Sequence, residues 1–187
     1  MKQFVFITGN QHKVEYLEKW LGLPVEHHKV DLEELQSLDL REVVAHKARQ
    51  AYEIVKRPVL VEDVAFTITD MGRLPGTFVK WFLDDIGAEG ICKVADAFDS
   101  REAFARLAYA YYDGQELTII EGETKGTVPP KPLQDDGINA WTLTKSWNAA
   151  FVPDGSAKSY AQMTDEEMKP FSHRAKAITK LQVFLQS

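Results

Sequence analysis

Hydrophobic and polar residues follow two different patterns along the first half of the chain, which together predict a mixture of strands and helices. Runs rich in β-branched and aromatic residues are typical of buried strands, whereas apolar residues three or four positions apart are typical of amphipathic helices. The first pattern predicts strands at QFVFIT and at PVEHHKV, and either a pair of strands or one long strand along PVLVEDVAFTI. The second predicts helices over about residues 11–21 and 40–56, the latter ended by Arg57 and Pro58.

The second half of the chain continues the same mixture. A Gly/Pro loop enters a helix in GRLPGTFVKWFLDDI, and a last helix is predicted from about Ser172 to Gln186. Two apolar runs flank Asp113-Gly114, which is a strong hairpin signal, although the first run could also begin as a helix. Because helices and hairpins intermix without a repeat or a linker, the sequence predicts one α/β domain over residues 1–187 with a mixed sheet.

Composition and charge narrow the classes of function. The 187 residues carry 22 Lys+Arg against 28 Asp+Glu, a net charge of -6, which argues against a protein that coats nucleic acid. Cys92 is the single cysteine, so no intramolecular disulfide forms, and we expect a buried, inert thiol in a reducing compartment. The first apolar run is too short for a signal peptide and none approaches a membrane span. We therefore expect a cytoplasmic protein without a membrane or nucleic-acid partner.

Cations stand at three predicted helix starts, where the helix dipole disfavours positive charge. Lys13 follows the turn in ITGNQHK, Lys80 follows LPGT, and His173 and Arg174 follow the N-cap residue Ser172. A helix N-terminus with free N–H groups is an anion site, and a nearby cation reinforces it. We therefore expect these cations to stay uncompensated until an anionic ligand arrives. The first segment is not a Walker A loop, because it lacks the second glycine and the Lys-Ser/Thr pair.

Carboxylates form the second set of candidate residues. Glu62 and Asp63 interrupt the apolar run VLVEDVAF, and buried carboxylates need cations, hydrogen bonds or a metal. Adjacent side chains on a strand point to opposite faces, so only one would face a given site. The segment DLEEL adds hard-oxygen ligands of the kind that Mg²⁺ takes. Two alternatives stay open, namely a strand end turned to solvent and an acidic run that is simply exposed surface.

Five segments, in this order, resemble one known family: TGNQHK, VEDVAF, GRLPGTFVKWFL, FVPDGSAKSYAQM and SHRAKAI. The chain is similar to the inosine triphosphate pyrophosphatases, house-cleaning enzymes that hydrolyse deaminated purine nucleoside triphosphates. The resemblance covers nearly the whole chain. It implies an elongated, two-lobed α/β fold around a long mixed sheet, a nucleotide cleft between the lobes, a homodimer and a requirement for Mg²⁺.

The matched motifs also imply roles for individual residues. The triphosphate would be held by Thr8, Asn10, Lys13, Lys47 and Lys80, the metal by Glu34 and Asp63, and the base by Trp147, Asn148, Ser172, His173 and Arg174. The catalytic groups would be Asp63, which binds metal or activates water, Glu62 beside it, and Lys13. In this interpretation Lys13 stands at a helix start because it binds phosphate.

The chain departs from the family on the side that reads the base. KSWNAAF replaces a Phe-Gly-Trp-Asp-Pro segment, so Trp147 is kept and could stack on a base, while Asn148 replaces an aspartate. An amide offers a donor and an acceptor where a carboxylate offers only acceptors. Met168 stands where the family has a lysine, with Lys169 one position on, and the loop before Trp147 is longer than usual. The preferred base is therefore less constrained by the sequence than the reaction.

The sequence thus predicts a Mg²⁺-dependent enzyme that converts ITP, dITP or XTP to the monophosphate and pyrophosphate. In such a reaction water attacks the α-phosphorus, lysines and Mg²⁺ stabilise the oxygens' charge, and a carboxylate orients the water. One alternative keeps this reaction but changes the base to a pyrimidine or another modified base. Another is a nucleotide-binding protein without turnover, which Met168 weakly favours. A structural domain without a site would make the three cationic helix starts coincidental.

Overall fold

The structure, a computed structural model of the chain, describes residues 2–134 and 146–187. Within these residues the helices are α1 (Gln11–Leu21), α2 (Leu40–Val55), α3 (Val79–Ala95), α4 (Asp165–Met168) and α5 (His173–Gln186). The strands are β1 (Val5–Ile7), β2 (His27–His28), β3 (Val59–Ile68), β4 (Pro75–Gly76), β5 (Glu102–Tyr112), β6 (Leu117–Thr127) and β7 (Val152–Pro153). The predicted helices and strands are confirmed to within a few residues at their ends.

The strands form a mixed sheet in the order β2-β1-β3-β5-β6-β7, with β4 paired to β3. β1 runs parallel to both neighbours, with Phe6 opposite His27 on one side and Leu60 on the other. β4 is antiparallel to β3 and β7 is antiparallel to β6. The predicted α/β class with a mixed sheet is therefore confirmed, and PVLVEDVAFTI is one long strand.

Local capping explains where α1 begins and ends. Asn10 is extended and its side chain accepts the His12 N–H at 3.0 Å, while the Asn10 N–H donates to Thr8 Oγ1 at 3.1 Å. The helix ends at Gly22, whose left-handed backbone (φ 69°) is accessible to glycine at little cost. The turn after β1 is thus built by side chains of the ITGN segment, and this fixes the direction in which Lys13 leaves the helix.

α2 is capped in the same way and packs by its apolar side. The Asp39 carboxylate accepts the N–H groups of Arg41 and Glu42, which compensates the exposed donors of the first turn. The predicted amphipathic character of this helix is confirmed, because Val43, Val44, Ala48 and Ala51 are buried along one side. Lys47 leaves the helix along this side, so its long side chain is partly covered.

The hairpin between β5 and β6 is held by its own turn residues. Asp113 Oδ1 accepts the N–H groups of Gln115 and Glu116 at 2.9 and 2.8 Å, and these bonds lower the pKa of the Asp113 carboxyl. Gly114 has φ 98°, a region that side chains disfavour. The hairpin prediction is confirmed, and the alternative helical start of the first run is wrong, since β5 is a strand from Glu102 onward.

The chain divides into two compact units, each made of several stretches. The first comprises residues 1–63, 107–122 and 176–187. Its buried side chains come from the strands β1, β3 and β5 and from the helices α1, α2 and α5, with Phe6, Leu17, Leu60 and Leu181 among the fully buried ones. The Gln182 amide donates to the Trp20 carbonyl, which ties the last helix to α1.

The second unit comprises residues 64–106 and 123–175. Its core joins α3 to aromatic residues, with Phe66, Trp147, Phe151 and Tyr160 among the buried side chains. Cys92 belongs to this core at 1% exposure, and burial raises the pKa of its thiol to about 11, as expected for an inert cysteine. The single-domain interpretation of the chain stays a prediction.

Candidate functional site

Lys13, at the start of α1, forms an ion pair with Glu62 of β3. Its Nζ lies 3.0 Å from Glu62 Oε1, and the Glu62 side chain is 1% exposed whereas that of Lys13 is 30% exposed. The expectation that Lys13 is uncompensated is therefore wrong, because a buried carboxylate already balances its charge. The alternative in which Glu62 turns to solvent at a strand end is also wrong.

The neighbouring carboxylate has a lysine of its own. Lys47 Nζ lies 2.6 Å from Asp63 Oδ2, and the two side chains are 18% and 20% exposed. Adjacent residues of β3 thus pair with lysines from two different helices, α1 and α2. Within these two pairs, two positive charges balance two negative charges.

The predicted metal residue Glu34 lies in the irregular segment between β2 and α2 and is exposed. Its neighbour Glu33 is tied to α2, because its N–H donates to Gln50 Oε1 at 3.0 Å. Among residues 2–134 and 146–187, no group of three or more His, Cys, Asp or Glu side chains is arranged to hold a metal ion. Mg²⁺ commonly takes one or two carboxylates together with phosphates and waters, so the carboxylates present would fit such an ion only if a phosphate ligand completed its coordination.

Lys80 lies in the first turn of α3, as predicted. α3 has no side-chain cap at its start, and Lys80 Nζ lies 5.6 Å from the ring centre of Trp81. Trp81 is 59% exposed, so this cation–π contact is open to solvent. Lys80 belongs to the second unit, whereas Lys13 and Lys47 belong to the first.

Ser172, His173 and Arg174 open α5, the first two buried and Arg174 partly exposed. Ser172 and His173 are 3% and 7% exposed, and Ser172 Oγ accepts the Ala175 N–H at 3.2 Å. The N-cap role predicted for Ser172 is confirmed. Arg174 makes at least one polar or ring interaction in the structure.

Trp147 packs inside the aromatic core of the second unit. Its ring stacks on Phe66 at 5.0 Å and 24°, and it also meets Phe151, Tyr160 and His173 at 5.8, 6.0 and 5.4 Å. Only 7% of the residue is exposed, which leaves little of the ring for stacking on a base. This packing favours a structural role for Trp147 over the predicted stacking.

Asn148 and Met168 carry the sequence departures from the family. Asn148 is partly exposed, and its N–H donates to Ser146 Oγ at 3.2 Å, which shapes the short 3₁₀ turn Trp147–Ala150. Met168 packs against the aromatic core, and Lys169 pairs with Glu166 at 2.6 Å. Lys169 therefore makes a local helix contact. Most of the longer loop, over residues 135–145, lies outside the described residues.

Comparison with known proteins places the chain in a family. The Ham1 family model matches residues 4–184. The chain belongs to the Ham1 family. It is 39% identical to the inosine triphosphate pyrophosphatase of Schizosaccharomyces pombe, over 100% of this chain and 97% of that protein. It is 38% identical to the inosine triphosphate pyrophosphatase of Yarrowia lipolytica, over 97% of this chain and 94% of that protein.

Solved structures agree with the fold of a Ham1 protein. The HAM1 protein from Coxiella burnetii superimposes with a TM-score of 0.84 at 20% identity, over 100% of this chain and 99% of that one. The nucleoside-triphosphatase, dITP/XTP pyrophosphatase from Mycobacterium abscessus superimposes with a TM-score of 0.75 at 20% identity, over 96% of this chain and 98% of that one. The resemblance to the inosine triphosphate pyrophosphatases is thereby confirmed at the level of family and fold.

Sequence reasoning did not single out two residues beside Ser172, His173 and Arg174, which we call the base-reading segment because the family resemblance assigns them to the base. Thr124 Oγ1 and Tyr160 Oη both donate to the carbonyl of Phe171, the residue before Ser172. Thr124 lies in a strand of alternating exposed and buried residues, and Tyr160 lies in FVPDGSAKSYAQM. Neither pattern signals a hydroxyl aimed at a particular main-chain carbonyl, so only the structure reveals the contact.

Proposed function

We propose that this Ham1 protein hydrolyses inosine triphosphate and related non-standard purine nucleoside triphosphates to the monophosphate and pyrophosphate. The observation that carries the proposal is the pair of lysine–carboxylate contacts on adjacent residues of β3, Lys13–Glu62 and Lys47–Asp63. They occur in a chain 39% identical to a protein named inosine triphosphate pyrophosphatase. A buried and a partly buried carboxylate, each with a lysine partner, supply both the cations and the acid–base groups that phosphoanhydride hydrolysis needs.

The chain's own residues would act by exchanging partners. Lys13 and Lys47 turn from their carboxylates to the triphosphate, assisted by Thr8 and Asn10 at the start of α1. Release of Lys47 frees Asp63 to accept a proton from the attacking water and to hold that water towards the α-phosphorus. Glu62 holds Lys13 in place before the substrate binds, and Lys80 adds a further cation for the phosphates.

A divalent metal completes this chemistry, and we propose Mg²⁺ held by Glu34 and Asp63 together with the phosphates. When bound, such an ion disperses charge on the non-bridging oxygens of the phosphates. The described carboxylates are too few to hold it without the nucleotide, which fits the habit of Mg²⁺ in phosphate-transfer enzymes.

Base selection is assigned to the residues that open α5. Arg174 would donate to the 6-oxo group of a deaminated purine, whereas the amino group of adenine offers no acceptor there. Loss of one hydrogen bond from a charged donor costs about 1.5–3 kcal/mol, enough for at least tenfold discrimination against ATP. Ser172 and His173 support the same edge, and the Asn148 amide can accept or donate where the family's carboxylate only accepts.

A panel of nucleoside triphosphates with Mg²⁺ tests the proposal, with monophosphate and pyrophosphate measured separately. We expect the protein to hydrolyse ITP, dITP and XTP with a higher kcat/KM than ATP and to release pyrophosphate rather than orthophosphate. Preference for pyrimidine triphosphates would overturn the assigned base, and orthophosphate as first product would overturn the assigned bond. Tight nucleotide binding without any product would identify a nucleotide-binding protein instead.

The oligomer and the compartment belong to the same proposal. The family resemblance supports a homodimer, which sedimentation equilibrium of the pure protein tests. A cytoplasmic location is supported by the buried single thiol, which suits a reducing compartment. No helix in the described parts of the chain is long and apolar enough to cross a membrane. Fractionation of cells that produce the protein tests the location.

A further inference from the structure

The main-chain carbonyl of Phe171 receives hydrogen bonds from two buried side chains. Tyr160 Oη donates to it at 2.8 Å, and Thr124 Oγ1 makes a second, short hydrogen bond. Thr124 is 5% exposed and Tyr160 is 2% exposed, so water contributes little at either hydroxyl. Phe171 immediately precedes Ser172, His173 and Arg174, the residues assigned to the base.

The position of this carbonyl explains why side chains serve it. In a regular helix the carbonyl of residue 171 would accept the N–H of residue 175. Here that N–H instead donates to Ser172 Oγ at 3.2 Å, because Ser172 caps α5. The Phe171 N–H and the Ser172 N–H both donate to the Met168 carbonyl, at 3.0 and 2.8 Å. The turn into α5 is thus held from α4 by main-chain bonds and from β6 and residue 160 by hydroxyls.

Tyr160 contacts the base-reading segment a second time through its ring. The ring lies parallel to His173, with centres 6.0 Å apart and an interplanar angle of 21°. Trp147 touches both of these rings, at 6.0 and 5.4 Å, and closes the cluster. One side chain therefore fixes the main chain at residue 171 and the side chain at residue 173.

We propose that Thr124 and Tyr160 are positioning residues that set the base selectivity of the site by holding the Phe171 carbonyl. The proposal rests on the proposed function, since it takes Ser172, His173 and Arg174 to contact the base. The two hydroxyls touch the main chain rather than substrate, so they act through the segment they hold. A shift of that segment displaces Arg174 from the base edge while the triphosphate contacts of Lys13 and Lys47 persist.

The test removes the hydroxyls with the smallest possible changes. Tyr160→Phe keeps the ring on His173, Thr124→Val keeps the branched shape, and Thr124→Ser keeps the hydroxyl. The double variant Tyr160→Phe/Thr124→Val removes both hydroxyl donors from the Phe171 carbonyl. Tyr111→Phe is the matched control, because Tyr111 is 6% exposed and packs on Phe184 in the first unit.

Three measurements separate positioning from general loosening of the fold: kcat and KM for ITP and for ATP, the inhibition constant of inorganic tripolyphosphate, and the melting temperature. We expect the double variant to raise KM for ITP about tenfold, the size of one to two hydrogen bonds, and to lower the ITP-to-ATP ratio of kcat/KM. The inhibition constant of tripolyphosphate should stay within about twofold of the wild-type value, since this inhibitor has no base. Each single hydroxyl deletion should have a smaller effect, and Thr124→Ser should behave as the wild type.

The outcomes distinguish this inference from the proposed function. If Arg174→Ala leaves the ITP-to-ATP ratio unchanged, the assignment of that residue to the base fails whatever the hydroxyls do. If Arg174→Ala lowers the ratio and the double variant does not, the positioning role of Thr124 and Tyr160 is overturned. A parallel loss for ITP, ATP and tripolyphosphate would also overturn it, since that result means general damage. Should the double variant not fold, a Tyr160→Phe ratio equal to that of Tyr111→Phe decides against the role.

Discussion

The ion pair between Lys13 and Glu62 should contribute to the free energy of unfolding, in addition to the phosphate-binding role that we propose for Lys13. At 3.0 Å and an effective dielectric constant of 20, two unit charges attract by about 5.5 kcal/mol, which is an upper limit on their contribution. Lys13 is 30% exposed and partly screened by water, so we expect a coupling of about 1–3 kcal/mol. The effect should be asymmetric, because the carboxylate is buried and the ammonium is not.

Lys13→Met removes the charge and keeps much of the side-chain length, whereas Glu62→Gln keeps the shape of its side chain. Lys13→Met deprives a carboxylate of 1% exposure of its lysine and should cost about 3 kcal/mol, since breaking a fully buried pair costs about 3–5 kcal/mol. Glu62→Gln should lower the free energy of unfolding by less, because the Lys13 side chain can turn to water. In the double variant the free energy of unfolding should fall by less than the sum of the two single effects.

Urea unfolding of the four proteins gives the coupling energy from a double-mutant cycle. The same cycle on Glu89 and Lys93 is the control, because that pair is closer, at 2.7 Å, but both side chains are 70% exposed. We expect a much weaker coupling there despite the shorter distance. A Lys13–Glu62 coupling below about 0.5 kcal/mol, the usual limit of additivity, would refute the argument from burial.

Three further predictions follow from single residues. Asp63→Asn should lower kcat on ITP by at least about a hundredfold in a protein that still folds, with a lower melting temperature because Lys47 loses its carboxylate, and a folded, fully active variant would falsify the water-orienting role. Lys158 and the Thr164 cap lower the pKa of Glu167 to about 2, so its stabilising contribution is present above about 4.5 and is lost as the pH falls towards 2. The melting temperature of Glu167→Gln should accordingly lie below that of the wild type at pH 6 and converge with it near pH 2, and a pH-independent difference would contradict this. Burial raises the pKa of the Cys92 thiol to about 11, so iodoacetamide at pH 8 should label it quickly only in urea, and rapid labelling of the folded protein would show that the thiol is accessible.

Helix and strand positions could be predicted because their signals are local. Asn10 and Gly22 bound α1, Asp39 caps α2, and Asp113-Gly114 makes the hairpin turn, and each acts on the main chain within a few residues. The residues that make such interactions lie close together in the sequence, so sequence patterns can reveal them. The corresponding predictions therefore agree with the structure to within a few residues.

The electrostatics of the site could not be predicted from the same patterns. Lys13 and Glu62 are far apart in sequence, and only the parallel pairing of β1 with β3 joins the elements that carry them. The dipole argument correctly marked Lys13 as unusual but wrongly left it uncompensated. Trp147 shows the same limit, because an aromatic residue in a loop has one sequence pattern whether it packs in a core or faces a ligand. Its contact with Phe66 and His173 depends on the whole fold of the second unit.

The two lysine–carboxylate pairs constrain which ligands the site can accept. Lys13 and Lys47 already pair with carboxylates, at 3.0 and 2.6 Å. A ligand therefore binds these lysines only if its interaction with them is more favourable than that of the carboxylates. An uncharged nucleoside has no negative charge to replace the carboxylates. A monophosphate has one charged group for two lysines that come from two different helices. In the proposed function, a triphosphate with several charges along its chain of phosphates would draw both lysines from their carboxylates, and Asp63 would then be free to act on water. The charge balance of the resting protein would thus favour polyphosphates before the base is bound, and the residues that open α5 would need to distinguish only among triphosphates.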